Sequence, residues 1–185
     1  ESGFIVTSNN QATGLLPIIA DVQETITPIE GSWNVYFDPR WGGPGKVVFD
    51  ELIDWTVHAD TGIRYYSGTA VYHKELNLAI PAQNERLLLR FPRLGSLARV
   101  WVNGKEVVTV WCSPWEADIT SYVHEGKNNL KIEVVNSLMN RMIGDASLPE
   151  SERFTYAYPQ IATPTDKLVP SGIMEQLNLV YRQCQ

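Results

Sequence analysis

The chain has 185 residues, 44% of them apolar and 19% charged, which suits one sizeable globular domain able to bury most of its apolar surface. Its net charge of −6 comes without a basic cluster, which argues against nucleic acid or an anionic membrane as partner, and no apolar run approaches the ~18 residues of a membrane span. Cys112 and Cys184 stand far apart with no CxxC or Cys/His spacing, so neither a zinc site nor a redox compartment follows from them.

No charged-then-apolar leader opens the chain at Glu1, which therefore reads as a mature product or a piece of something longer. Residues 1–30 contain β-compatible segments broken by Pro17 and Pro28, with poor alternation. They are expected to be a lead-in or linker from a preceding domain. Trp33, Val35 and Phe37 then share one face of a strand and Asn34 and Tyr36 the other. Asp38–Gly45, DPRWGGPG, is a loop of turn formers carrying Trp41. Its GGPGK ending is not a phosphate loop, because Arg40 and Val47 stand where that pattern needs Gly and Ser or Thr.

A short strand is expected over Lys46–Leu52 and a long one over Tyr66–Leu78; Arg86–Phe91 reads as a central strand buried on both faces. Ala98, Val100 and Val102 alternate with Arg99, Trp101 and Asn103 ahead of Asn103-Gly104, a hairpin signal whose two turn residues need positive φ. The return strand is Lys105–Trp111, Ser113-Pro114 makes a second turn into Trp115–Ile119, and a helical turn starts near Thr120. Leu130, Ile132 and Val134 mark the next strand. Residues 137–171, with four prolines and no sustained period, form a long irregular loop, and Leu177, Leu179 and Tyr181 close the chain in a strand. The sum is an all-β antiparallel sandwich over residues 31–185, most economically a jelly roll.

Several ordered segments carry a resemblance. Tyr65–Tyr72 (YYSGTAVY), ERLLLRF at 85–91, ARVWVNGK at 98–105, WCSPWEADIT at 111–120 and GKNNLKIEVVN at 126–136 resemble the sugar-binding domain of glycoside hydrolase family 2. With NRMIGD at 140–145 and PSGI at 170–173, the chain resembles in particular the C-terminal sandwich of bacterial α-L-rhamnosidase-like enzymes of family 106. The similarity covers residues 31–181. It implies a galactose-binding-like jelly roll in a multidomain, periplasmic or secreted carbohydrate-degrading enzyme whose catalytic carboxylates lie on a separate barrel. This chain is then a noncatalytic module that binds saccharide or braces its neighbour. Its implied partners are the catalytic domain of the same polypeptide and a plant or microbial polysaccharide or oligosaccharide. The alternative is an independent small sugar-binding lectin.

Aromatic faces suit the C–H surfaces of sugars, and loops on a rigid sandwich are where binding residues concentrate. Trp41, Trp111 and Trp115 are therefore the sugar-contacting candidates, with Tyr65 and Arg64 beside them; the competing reading is that they pin loops or face another domain. Trp33 reads as core, and Trp101 either as an outer-layer residue beneath a loop or as part of a concave face. Asn136, Asn140, Arg141 and Asp145 are expected to anchor the long loop or an interdomain contact, with Asp145 pairing Arg141. Glu116 and Asp118, two apart on one strand face at about 7 Å, fall within the separation of inverting glycosidases, but Asp118 as a cap of the following turn is the simpler reading. No cofactor is required. A structural calcium is conceivable at Asp38, Asp50, Asp54 and Asp60, although no EF-hand spacing occurs. His58, His73 and His124 are scattered and assemble neither a metal cluster nor a triad.

Overall fold

The computed structural model describes residues 23–157 and 161–184. In chain order its elements are β1 (Glu24–Pro28), β2 (Trp33–Phe37), β3 (Gly45–Phe49), α1 (Thr61–Arg64), β4 (Thr69–Leu78), β5 (Glu85–Arg90), β6 (Leu94–Gly95), β7 (Leu97–Val102), β8 (Lys105–Val110), β9 (Glu116–Asp118), β10 (Gly126–Val135), α2 (Met139–Asp145), β11 (Gly172–Ile173) and β12 (Asn178–Gln183). They build a six-stranded sheet in the order β3-β2-β4-β10-β7-β8, a four-stranded sheet β1-β12-β5-β9, and the small pair β11-β6. Every strand pairing is antiparallel. This is an all-β sandwich of the jelly-roll kind.

Period-two alternation decides which side chains fill the interior. Trp33, Val35 and Phe37 of β2, Ala70 and Tyr72 of β4, and Leu130, Ile132 and Val134 of β10 point inward from the larger sheet. Leu87 and Leu89 of β5 and Leu179 of β12 meet them from the smaller one. At the centre sits an aromatic cluster: Phe37 makes edge-to-face contacts with Trp55 and Tyr66, and Trp33 with Tyr72. Polar groups of this cluster are satisfied: Trp55 Nε1–H donates to the Tyr72 hydroxyl at 2.7 Å, and the Tyr66 hydroxyl donates to Thr69 O at 3.1 Å. Burial pushes the Tyr72 hydroxyl far above its ordinary range, so it stays neutral in that bond.

The turns obey local chemistry. Asn103 and Gly104 adopt φ of 52° and 77°, the left-handed pair that a two-residue hairpin needs. The Asn103 side chain also donates to the buried Asn128 Oδ1 at 2.8 Å and accepts from Asn129 N, fixing the β7–β8 turn to β10. Asp118, one residue before the N-cap Ile119, leads into the 3-10 turn Thr120–Tyr122, its Oδ1 accepting from Thr120 N at 3.1 Å.

Two elements depart from the sequence reading. Residues 24–28, inside the stretch read as lead-in, form β1 on the edge of the four-stranded sheet, so Trp33 does not open the first strand. The reason is that β1 contributes almost nothing to the core: Thr25–Pro28 are exposed, which erases the apolar alternation, and an edge tolerates Pro28. Within 137–171, read as irregular, residues 139–145 form α2. Seven residues are too few to display a helical period, and three of the buried ones, Asn140, Arg141 and Asp145, are polar.

Candidate functional site

The larger sheet has one rim at which Phe37, Ala70, Val134, Ala98 and Val110 lie in register on successive strands. The segments leaving those strands therefore gather there. They are the Asp38–Gly42 turn after β2, α1 and Tyr65 before β4, Asn136 and α2 after β10, and Trp111 after β8. The turn carrying Trp41 and the end of β8 are four strand spacings apart, about 19 Å. Trp41 is 47% exposed and Trp111 68%. Trp115, in the same loop as Trp111, is packed against the core.

The Trp41 turn is built from its own residues. Asp38 Oδ1 accepts from Arg40 N at 2.9 Å and starts a 3-10 turn with Pro39 in its first position. Hydrogen bonds from the Arg40 side chain and backbone hold the Asp38 carboxyl below the usual carboxylate range. Gly42 ends the turn at φ 76°, where any Cβ would lie 2.8 Å from Arg141 Nη1 and 3.0 Å from the Phe154 ring. A Cβ on Gly62, at the start of α1, would meet Gly42 O at 2.7 Å, and one on Gly144 of α2 would meet the Tyr65 ring at 2.6 Å. Trp41, Arg64, Tyr65 and Arg141 are thus joined through close glycine contacts.

Beneath them lie the four polar residues expected as anchors. Asn136 Nδ2 donates to Tyr66 O at 2.8 Å and to Ser171 Oγ at 3.1 Å, while its Oδ1 accepts from Gly68 N. Asn140 clamps Val169 from both sides, Nδ2 donating to its carbonyl at 2.7 Å and Oδ1 accepting from its N–H at 2.8 Å. Arg141 N donates to Ser67 Oγ, and its guanidinium lies 5.0 Å from the Phe154 ring centre. Asp145 Oδ2 accepts from Phe154 N, Thr155 N and Thr155 Oγ1 at 3.0, 2.7 and 2.7 Å. Arg141 Nε and Asp145 Oδ1 approach to 3.0 Å, yet neither atom is in a hydrogen bond, because the N–H does not aim at the oxygen. The pair is a buried electrostatic contact and not the bidentate fork that sequence spacing allows.

Sequence reasoning did not single out Ser171, which is 1% exposed and joins this framework. Its hydroxyl accepts from Asn136 and Asn140, and its N–H donates to Asp54 Oδ1 at 3.1 Å. It also missed Gly42 and Phe154; the Gly42-Gly43 doublet was the available signal.

Neither acid of the pair considered for hydrolysis stands free. Glu116 accepts from both Arg90 and Arg182, and Asp118 is engaged by the Thr120 turn and Arg86. The acids considered for calcium do not converge either. Asp38, Asp54 and Asp60 each accept from a backbone N–H at the start of a separate helical turn, and among the described residues no group of three His, Cys, Asp or Glu is placed to hold a metal. No described helix is long and apolar enough to cross a membrane.

Comparison with known proteins fits this geometry. Residues 17–182 match the family model described as glycosyl hydrolases family 2, sugar binding domain. A Formosa agariphila protein named "Putative beta-glucuronidase" is 39% identical over 123 residues, which cover 65% of this chain and 11% of that protein. The structure of a rhamnosidase from Novosphingobium sp. PP1Y superposes with a TM-score of 0.81 at 29% identity, over 94% of this chain and 16% of that one. A Ruminococcus gnavus β-glucuronidase shares the fold, with a TM-score of 0.61 at 22% identity, over 90% of this chain and 29% of that one. The chain spans about a tenth to a third of the relatives it matches. With nearly its whole length matched by that model, the chain belongs to the sugar-binding domains of glycosyl hydrolase family 2.

Proposed function

We propose that this domain is the noncatalytic, saccharide-contacting module of a larger glycoside hydrolase acting on plant or microbial oligosaccharides in the periplasm or outside the cell. The observation that carries the reading is the rim: Trp41 and Trp111 stand exposed at the same end of a rigid sandwich, at which the long loop 137–171 is held by buried anchors. Their ring faces suit sugar C–H surfaces, and the Arg64 guanidinium, of which Nε is spent on His58 O, keeps further N–H groups for hydroxyls. Tyr65 supports α2, and Trp115 backs the Trp111 loop. The catalytic domain of the same polypeptide is the partner across the rim, with Asn136, Asn140, Arg141 and Asp145 keeping that surface in shape.

Calorimetric titration of the domain with rhamnose-, galactose- and glucuronate-containing oligosaccharides tests the reading. Binding is expected for one class, weakened about tenfold, or ~1.4 kcal/mol, by either Trp41→Ala or Trp111→Ala. Undiminished affinity in the double variant would remove the rim from the binding site.

A further inference from the structure

The outward face of the larger sheet carries a second feature, distinct from the rim. Pairing registers place Val48, Asn34, His73, Lys131, Trp101 and Glu106 in one row across all six strands, about 24 Å from edge to edge. Along that row run two adjoining hollows of about 530 and 520 Å3 that share Asn34 and His73. The half toward β3 is apolar, walled by Tyr36, Val48 and Val71; the half toward β7 is mixed, with Glu75, Asn129 and Lys131 beside Trp101.

The polar groups of this trough divide into two kinds. Most of the charged ones are held within the chain: Lys127 pairs with Glu75 at 3.0 Å, Lys131 with Glu133 at 3.0 Å and Arg99 with Glu133 at 3.7 Å, and Lys74 donates to Gly31 O and Ser32 O; Lys46, at the β3 edge, makes no ion pair among the described residues. Lys131 also lies 3.6 Å from the Trp101 ring centre, so that cation is doubly engaged. The uncharged hydrogen-bonding groups are not engaged. Among the described residues, the side-chain amides of Asn34 and Asn129, the His73 imidazole and the Trp101 indole N–H make no hydrogen bond within the chain. A hollow with few free charges, several unspent uncharged donors and acceptors, and an apolar wall matches a ligand rich in hydroxyls and apolar on its ring faces.

We propose that this trough is a second saccharide site, taking a neutral oligosaccharide chain laid across the strands. Asn34, His73 and Asn129 bond its hydroxyls, and Tyr36, Val48 and Val71 cover its C–H faces. The inference takes its ligand class from the family reading but is independent of the rim. A neutral chain is favoured over an anionic one because at the trough's centre Lys131 is already held by Glu133, and the unpaired Lys46 lies at the β3 edge.

The test is a backbone amide NMR titration of the whole chain with cellohexaose, xylohexaose and mannohexaose, with a galacturonic acid hexamer as the charged control. One neutral hexamer is expected to shift the amides of residues 34, 73, 101, 129 and 131. Asn34→Ala/Asn129→Ala, both at exposed positions, should weaken that binding at least tenfold, while Trp41→Ala/Trp111→Ala leaves it unchanged. His73→Ala supplies a second variant should the double one fold poorly. Shifts confined to the rim, no shift with any neutral hexamer, tighter binding of the galacturonic acid hexamer, or concentration-dependent shifts on this face without sugar would each overturn the proposal. A rim that binds nothing while the trough binds would overturn only the rim reading.

Discussion

Leu88 of β5 and Val180 of β12 stand opposite each other on the outward side of the smaller sheet, yet they are only 4% and 0% exposed. What covers them is a ring of four charges. Arg182 joins Glu24 and Glu116 at 2.6 and 2.9 Å, and Arg90 joins the same two carboxylates at 2.8 and 2.6 Å. The ring closes across all four strands, and its stems seal the apolar pair.

Removing Glu116 leaves two guanidinium groups sharing the single carboxylate of Glu24 over that pair. Glu116→Gln is therefore expected to destabilise the domain by about 2 kcal/mol, less than for a fully buried pair because the ring touches solvent. Thermal unfolding should fall by about 4–8 °C. An unchanged midpoint would mean that the ring contributes packing alone.

The same ring gives β1 a dependence on pH. Partial burial of Glu24 opposes its ionisation, but hydrogen bonds and charges from Arg90 and Arg182 outweigh this and hold its carboxyl below the ordinary 4.5. A carboxyl depressed by folding adds stability that is complete above its unfolded value and is lost as pH falls through the folded one. Unfolding by urea should thus show stability declining below about pH 4.5, and Glu24→Gln should flatten that decline. Hydrogen exchange should place the acid-induced loss first at the β1–β12 pairing.

Two glycines with nearly equal backbone angles separate strain from crowding. At Gly104, φ is 77° with nothing within 4 Å of an added Cβ, so Gly104→Ala should cost about 1 kcal/mol. At Gly42, with φ 76°, the Cβ also strikes Arg141 and Phe154, so Gly42→Ala should cost about 2–3 kcal/mol. Denaturant midpoints of the two variants give the comparison, and equal losses would show that Arg141 yields freely.

Asp145→Ala deletes three hydrogen bonds to residues 154–155 and strands Arg141 in a nearly dry site. The expected loss is about 3–5 kcal/mol. Adding Arg141→Met should restore part of it, since the unpaired charge is then gone. If the double variant is no more stable than the single one, the loop bonds and not the charge account for the loss.

Strands with one buried face were legible in the sequence because alternation survives wherever inside and outside differ, as in Trp33–Phe37 and Leu130–Val134. β1 was hidden because both its faces meet solvent, and α2 because it is short and buries charge. The candidate aromatics were visible as loop residues. That Trp41 and Trp111 share a rim was not, since it depends on the strand order β3-β2-β4-β10-β7-β8. The anchors were visible as a polar cluster, but Ser171 meets Asp54 across 117 residues of sequence, a distance that no local pattern spans.

The distribution of tryptophans has a practical outcome. Trp33 and Trp55 are sealed in the interior, while Trp41 and Trp111 stand in water. The first two should emit at shorter wavelength and resist acrylamide, and the last two should emit red-shifted light that the quencher removes. The domain therefore carries its own optical labels, one set reporting whether the core is intact and the other the surroundings of its far end.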